Sequence, residues 1–209
     1  MRNATKTILF IVFLLLIDQC VKVWVKTSMS LGESIHVFDW FQIAFVENPG
    51  MAFGWSFGNK TILTIFRVLV SAFILYYICV LVKQQYKQSY IFCVSLIFAG
   101  AIGNIIDCLF YGVIFSESAF GRVAEWFPAG GGYAPLLEGK VVDMFYFPLF
   151  TFPDWVPWLR GEVFFSPVFN VADAAMTTGI FILILFFMRD FNVTFDRVFS
   201  RKKTKDKTE

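Results

Sequence analysis

YIFCVSLIFAGAIGNIIDCLFY, residues 90–111, decides the fold of this chain. The run is apolar over the roughly 17–25 residues that cross a bilayer, and its polar groups enter only near one end. Three similar runs cover about 8–25, 61–82 and 168–188. The composition agrees: 57% hydrophobic, 28 Phe, mean hydropathy +0.66 and 16% charged, against about a quarter charged in soluble domains. The expected fold is a membrane protein, mainly α, with four transmembrane helices. The run 8–25 is too polar in its later half for a secretory leader, where Asp18 and Lys22 interrupt it, and it lacks a small-x-small cleavage site. It therefore reads as a retained helix.

The loops set the orientation. Residues 1–7 carry Arg2 and Lys6, and residues 83–89 carry Lys83 and Lys87, with no acid in either. The segment from Arg189 onward has seven Lys/Arg against four Asp/Glu, whereas 113–166 has three basic and six acidic residues. The positive-inside bias puts both termini and the 83–89 turn in the cytoplasm, leaving 26–60 and 113–166 outside. The expected organisation is one membrane-embedded domain over 1–190 and a basic cytoplasmic tail over 191–209. Within the first external segment, residues 35–47 are aromatic and β-branched enough for short strands, and Asn48-Pro49-Gly50 is a turn signal. The result would be a small external β-rich cradle. The insertion between helices 3 and 4 contains Gly130-Gly131-Gly132 and three tryptophans, Trp126, Trp155 and Trp158. A mobile interfacial flap is expected there.

Several classes are excluded. A net charge of +2 with no basic-aromatic stripe gives no footing for nucleic acid. The lone His36 and the absence of CxxC argue against zinc, and the four cysteines read as buried, reduced thiols. No metal or other cofactor is implied.

The polar residues converge. Asp18, Asp107 and Asp173 fall roughly 7–12 Å below the outer ends of three different helices at 1.5 Å per residue. Gly100, Gly103, Asn104 and Asp107 share one helix face, as do Asn170, Asp173 and Thr177. Glycine and alanine beside these stripes allow close helix packing. Ionisable groups at membrane depth are costly and mark functional sites. Asp18 and Lys22 could alternatively be a neutralised i,i+4 pair snorkelling outward, and Asn104 could be interhelical glue. Asp143 sits in the apolar run VVDMFYF, which should hold its carboxylate against the membrane. Two carboxyl groups that meet in a poorly hydrated site cannot both ionise easily, which is the acid/base chemistry of an aspartic peptidase. Asp107 and Asp143 could both reach Asp173 from the outer side, and helix-face geometry alone favours Asp107.

Five blocks in order resemble the lipoprotein signal peptidase (signal peptidase II) family. They are Asp18-Gln19 with Lys22, Asn48-x-Gly50-x-Ala52-Phe53-Gly54, Gly103-Asn104-x-x-Asp107, Val141-Val142-Asp143, and Phe169-Asn170-x-Ala172-Asp173. The resemblance spans residues from about 8 to 188. It implies an aspartic membrane endopeptidase of the bacterial inner membrane. Its partners would be diacylglyceryl-modified prolipoproteins, cut just before the lipid-bearing cysteine, and the surrounding lipids. It implies catalysis by Asp143 and Asp173, with Asp18, Lys22, Asn48, Gly50, Asn104, Asp107, Asn170 and Ala172 supporting the site or binding substrate. Oligomeric state is left open, a monomer being sufficient. Two departures stand out. Cys108 occupies the position where the family usually has an arginine, and Arg67 in the second helix is the only other arginine inside a membrane segment. The 36 residues from Asp107 to Asp143 are also many for the family. The rival reading is a small proton- or cation-coupled transporter using intramembrane aspartates, which predicts polar groups through the full membrane thickness. The inner halves of these helices offer few.

Overall fold

Long apolar runs can satisfy their backbone polar groups within lipid only by closing helical hydrogen bonds, so each becomes a helix. The computed structural model describes residues 2–49 and 60–203. Gly50, Ala52, Phe53 and Gly54 of the second block lie outside the described residues. In chain order the elements are α1 (Arg2–Ser28), β1 (Ser34–Phe38), β2 (Phe41–Asn48), α2 (Lys60–Lys83) and α3 (Gln88–Ile106). A π-helical turn (Asp107–Tyr111) and the short α4 (Gly112–Ile114) extend α3, followed by β3 (Val141–Tyr146), β4 (Phe150–Thr151) and β5 (Val163–Phe164). The chain ends in α5 (Val171–Ile182), a second π turn (Leu183–Phe187) and α6 (Met188–Lys203).

Four helices are long and apolar enough to cross a membrane: Asn3–Ser28, Lys60–Lys83, Gln88–Ile114 and Val171–Val198. The mainly helical, four-span expectation holds. Large side chains such as Leu9, Phe13, Ile62, Phe66 and Leu185 stand exposed on their outer faces, which suits contact with acyl chains rather than water. The helices pack where side chains are small. A Cβ at Gly103 would strike the Asp18 carboxylate and Ala172, so glycine there lets α1, α3 and α5 approach at one point.

At one end of the bundle β1, β2 and β3 form an antiparallel sheet in that order. Its register places Val46 opposite Asp143 and Asn48 opposite Val141. Period-two alternation sends Val142 and Met144 into a core with Val25, Met29 and Phe45, and therefore turns Asp143 to the other face. Glu47 ties the sheet to α1. Its carboxylate meets Lys26 Nζ at 2.5 Å and Lys140 Nζ at 3.0 Å. Burial works to raise this carboxyl's pKa, yet the two ammonium groups prevail and hold it below the usual range.

Four sequence expectations need correction. The fourth helix begins at Val171 rather than 168, because Phe169 continues as an extended segment paired with Phe145 of β3, with N–H···O distances of 2.7 and 3.1 Å. At its other end the helix does not stop near 188 but runs to Lys203. Of the glycine triplet, Gly130 and Gly131 stand in open space but Gly132 is packed. A Cβ at Gly132 would strike the carbonyls of Gly112 and Val113, and the N–H groups of Ala134, Leu137 and Gly139 donate to the carbonyls of Gly112, Leu109 and Cys108. The insertion thus satisfies carbonyls that a helix end leaves without intrahelical donors. Finally, Cys93 and Cys108 are buried but Cys20 and Cys79 are exposed, and all four are free thiols. Thiols behave as small apolar groups and sit comfortably on a lipid-facing surface.

Candidate active site

The polar face of α3 meets α1, β3 and the start of α5 at the sheet end of the bundle. Asn170 is the N-cap of α5. Its Oδ1 accepts from the Asp173 N–H at 2.9 Å, and its own N–H donates to Asp173 Oδ2 at 3.3 Å. This reciprocal capping satisfies two of the donors that every helix start leaves open. It also places Asp173 in the first helical turn, about 3 Å along the axis from Val171, not the roughly 7–12 Å below a helix end that was expected. The depth of the site is set by where α5 begins.

The same Asn170 reaches β3. Its Nδ2 donates to Asp143 Oδ1 at 2.6 Å, to Asn104 Oδ1 at 3.1 Å and to the Val142 carbonyl at 3.3 Å. Asn104 Nδ2 donates in turn to Asp173 Oδ1 at 2.7 Å. The Asp143 carboxylate is therefore held by the Asn170 carboxamide, and the Asp173 carboxylate by the Asn170 backbone N–H and the Asn104 carboxamide. Asp143 is only 4% exposed. Burial pushes its carboxyl up from the ordinary 3.8 to about 7, the neighbouring Asp173 charge adds to this, and the Asn170 and Asn48 amides work in the opposite direction.

A second cluster lies behind the first. Lys22 Nζ sits 3.0 Å from Asp18 Oδ2, 2.9 Å from Asp107 Oδ2 and 2.8 Å from Asn104 Oδ1. Lys22 and Asp107 are completely buried. The outward-snorkelling reading of Asp18 and Lys22 is thus wrong: the ammonium points inward because two carboxylates and an amide oxygen replace its water. Asp18 Oδ1 accepts from the Ala172 N–H at 2.8 Å, giving Ala172 its place in the frame. Asp107 accepts from the Val142 N–H at 3.2 Å and from Gln19 at 3.1 Å, so the same carboxylate also anchors β3.

Sequence reading brought Asp18, Lys22, Asn104, Asp107, Asp143, Asn170, Ala172 and Asp173 forward, and they form one connected network. Asn48 lies at the strand end beside it, and Gly50 lies outside the described residues. Helix periodicity pairs Lys22 with Asp18 but is blind to Asp107 across the helix interface. The Lys26–Glu47–Lys140 clamp was missed too. The i,i+4 spacing of Lys22 and Lys26 along α1 was the available signal, since two lysines on one face of an apolar helix each require an anion.

Fold and site together define a polytopic membrane peptidase of the aspartic type. The sequence pattern of the signal peptidase (SPase) II family matches residues 10–189, and the chain belongs to that family. A lipoprotein signal peptidase of Porphyromonas gingivalis is 51% identical over 191 residues, spanning 89% of this chain and 84% of that protein. One from Amoebophilus asiaticus is 38% identical over 179 residues, 81% of this chain and 72% of its own. A solved structure described as a bacterial membrane enzyme is 26% identical, covers 89% of each chain and superposes with a TM-score of 0.62. The transporter reading finds no support.

Proposed function

We propose that this chain removes signal peptides from diacylglyceryl-modified prolipoproteins, hydrolysing the bond before the lipid-bearing cysteine with Asp143 and Asp173 as the catalytic pair. One observation carries the assignment: the Asn170 side chain donates to the Asp143 carboxylate while the Asn170 backbone N–H and the Asn104 side chain hold that of Asp173, and neither carboxyl group takes a direct ion pair from Lys22. Two acids so close hold one proton between them near neutral pH, and the apparent pKa values belong to the pair. The ionised member accepts a proton from water as it attacks the scissile carbonyl. The protonated member donates to the carbonyl oxygen and then to the leaving amine. The amides of Asn48, Asn104 and Asn170 suit a substrate held extended. The acyl chains would remain in lipid, fixing the modified cysteine at the depth of Asp173.

The proposed setting is the bacterial inner membrane, with both helical termini and the 83–89 turn in the cytoplasm and the sheet outside. The lysine and arginine bias supports this orientation. A single cysteine introduced by Gly131→Cys should react with a membrane-impermeant reagent on intact cells; reaction only after permeabilisation would reverse the topology.

The deciding assay uses purified protein with lipidated and unlipidated forms of one prolipoprotein, each with and without a chelator. Cleavage of the lipidated form alone, indifferent to chelator, is the expected result. Equal cleavage of both forms, or of neither, defeats the substrate assignment.

A further inference from the structure

β2 carries one residue more than its pairing with β3 uses. Ile43 faces Phe145 and Val46 faces Asp143, so three steps along β2 match two along β3. Phe45, in the extra stretch, bonds on the β1 side: its N–H donates to the Glu33 carbonyl at 2.9 Å, and its carbonyl accepts from the Gly32 N–H at 3.0 Å. A bulge of this kind re-aims the strand beyond it. Beyond it lie Glu47 and Asn48, opposite Val142 and Val141. Side chains alternate along a strand, so Val46, Asn48 and Asp143 share one face while Glu47 and Val142 share the other. Asn48 is thus the diagonal neighbour of Asp143, within reach of its carboxyl, and its amide is among the groups that hold that carboxyl down. A slip of β2 by one residue would send Asn48 to the opposite face.

On the face away from Asp143, Glu47 is gripped from three directions. Its Oε1 meets Lys26 Nζ of α1 at 2.5 Å and accepts from Ser118 Oγ of the insertion at 2.9 Å, and its Oε2 meets Lys140 Nζ at 3.0 Å. The Tyr133 ring lies 4.9 Å from the Lys26 ammonium and 5.3 Å from that of Lys140, and its hydroxyl accepts from the Lys140 N–H at 2.7 Å. The Glu47 and Lys26 side chains are shut off from water, whereas that of Lys140 is 28% exposed. The Lys140–Glu47 bridge therefore joins the two strands one residue before Asn48 and three before Asp143. A slipped strand would carry the Glu47 carboxylate away from both ammonium groups, and buried charge that has lost its partners is costly enough to forbid that register.

We infer that Glu47, gripped by Lys26 and Lys140, is a positioning residue for the proposed catalytic pair, fixing β2 on β3 beyond the bulge so that Asn48 stands against Asp143. This rests on the peptidase reading given above. Asp143 faces Asp173 on α5, Lys22 on α1, and the amides of Asn170 and Asn48. Of these, Asn48 is the one that β2 carries, so it is the one whose place depends on the register. Lys26, Glu47 and Lys140 touch no reacting atom and act through Asn48 alone.

The test measures turnover of a lipidated peptide against pH and, separately, stability against pH, for wild type, Lys140→Met, Asn48→Ala and their double variant. Lys140→Met frees β3 from β2 while Glu47 keeps Lys26, so no buried charge is orphaned. Without the Asn48 amide, the Asp143 carboxyl should keep its proton to higher pH. The alkaline limb of kcat and the pH at which stability levels off should therefore both rise in Lys140→Met, by about half to one pH unit, the scale of one amide hydrogen bond. Its kcat below that limb should fall about threefold to tenfold. Asn48→Ala should show the same rise, and the double variant should go no further than Asn48→Ala alone. Lys140→Arg keeps a cation at the bridge and should recover most of both effects. The stability profile reads Asp143 without turnover, so a wild type that never cleaves would fail the peptidase reading and leave this result readable. Should Lys140→Met not be recovered folded, Lys26→Met/Glu47→Leu opens the bridge from the other side by removing the buried pair as a whole, and the same rise is expected. Unmoved pH profiles in these variants overturn the inference. So does a double variant whose rise is the sum of the two single ones, because Lys140 would then act through its charge and not through Asn48.

Discussion

Two clusters of buried aspartates lie side by side and differ in what faces them. Asp18 and Asp107 share the Lys22 ammonium at 3.0 and 2.9 Å. Asp143 takes the side-chain amide of Asn170 and Asp173 that of Asn104, and among the described residues neither carboxyl group meets a cation directly. A cation holds the carboxylates around it in one geometry. A neutral amide bonds a carboxylate or a carboxylic acid by turns, so the proton between Asp143 and Asp173 stays free to move. The same side chain is thus a strut in one cluster and an acid/base in the other. Asn104 couples them, accepting from Lys22 at 2.8 Å and donating to Asp173 at 2.7 Å. Its oxygen faces two donors and its nitrogen a carboxylate, so the amide can point only one way.

The largest effect should come from breaking the amide-bridged cluster. Asp143→Asn and Asp173→Asn keep shape and hydrogen bonding but remove the titrating group, and each should lower kcat by about 10²–10⁴. Both proteins should still accumulate and bind lipidated substrate. Near-normal turnover by Asp143→Asn would make Asp107 the partner of Asp173 and reverse the roles of the clusters.

Breaking the cation-locked cluster should instead cost the fold. Lys22→Met leaves Asp18 and Asp107 buried without a counter-charge, a loss of about 3–5 kcal/mol by the usual measure of a buried pair missing one partner. The variant should be recovered poorly and melt well below wild type in detergent. Lys22→Met/Asp107→Asn removes one of the two orphaned charges and should regain part of that stability. If Lys22→Met melts like wild type, the cluster is not the strut inferred from its geometry.

A smaller and reversible perturbation is pH. The Asp143 carboxyl is pushed up from 3.8 to about 7, so the folded protein keeps a proton there that the unfolded chain releases near pH 4. The folded state binds more protons between those values, and its stability should fall as pH rises from about 4 to 7 and then level off. Turnover should have an alkaline limb near pH 7, where the pair loses its shared proton, falling about tenfold per unit beyond it. Asp143→Asn should abolish the stability slope. A flat stability profile in wild type would show that the carboxyl is not buried as described.

Sequence periodicity made the helices legible because lipid leaves few alternatives: an apolar run of bilayer length must close its own hydrogen bonds. It also exposed Asn104, Asp107 and Asp173, which stand out against Ile, Phe and Leu. What it could not show depends on contacts far apart in the chain. Lys22 looks like the partner of Asp18 from i,i+4 spacing, yet Asp107, 85 positions on, is its second anion. Asp143 looks like a loop carboxylate until the strand pairing of Val46 with Asp143 and of Phe145 with Phe169 brings it to Asn170. The π turn that begins at Asp107 leaves no mark in an apolar sequence, since its register is fixed by the insertion that donates to the carbonyls of Cys108, Leu109 and Gly112.

The smallest effects should separate the two struts from each other. Asp107 accepts from Lys22, from Gln19 and from the Val142 N–H, and Val142 immediately precedes Asp143. Asp107→Asn can keep one of these bonds through its oxygen but presents an amide nitrogen to the others, so β3 should shift and kcat should drop roughly tenfold, the scale of one lost charge-assisted hydrogen bond. Asp18 holds Lys22 and the Ala172 N–H. In Asp18→Asn the amide oxygen can retain the Ala172 bond, and Lys22 keeps Asp107 as its anion. The expected change is a few-fold in activity at most, with a modest fall in unfolding temperature. Side-by-side kcat and melting measurements on the two variants check the order. A larger kcat loss in Asp18→Asn than in Asp107→Asn would mean that the grip of α1 on the start of α5, rather than that of α3 on β3, keeps the two proposed catalytic carboxyl groups together.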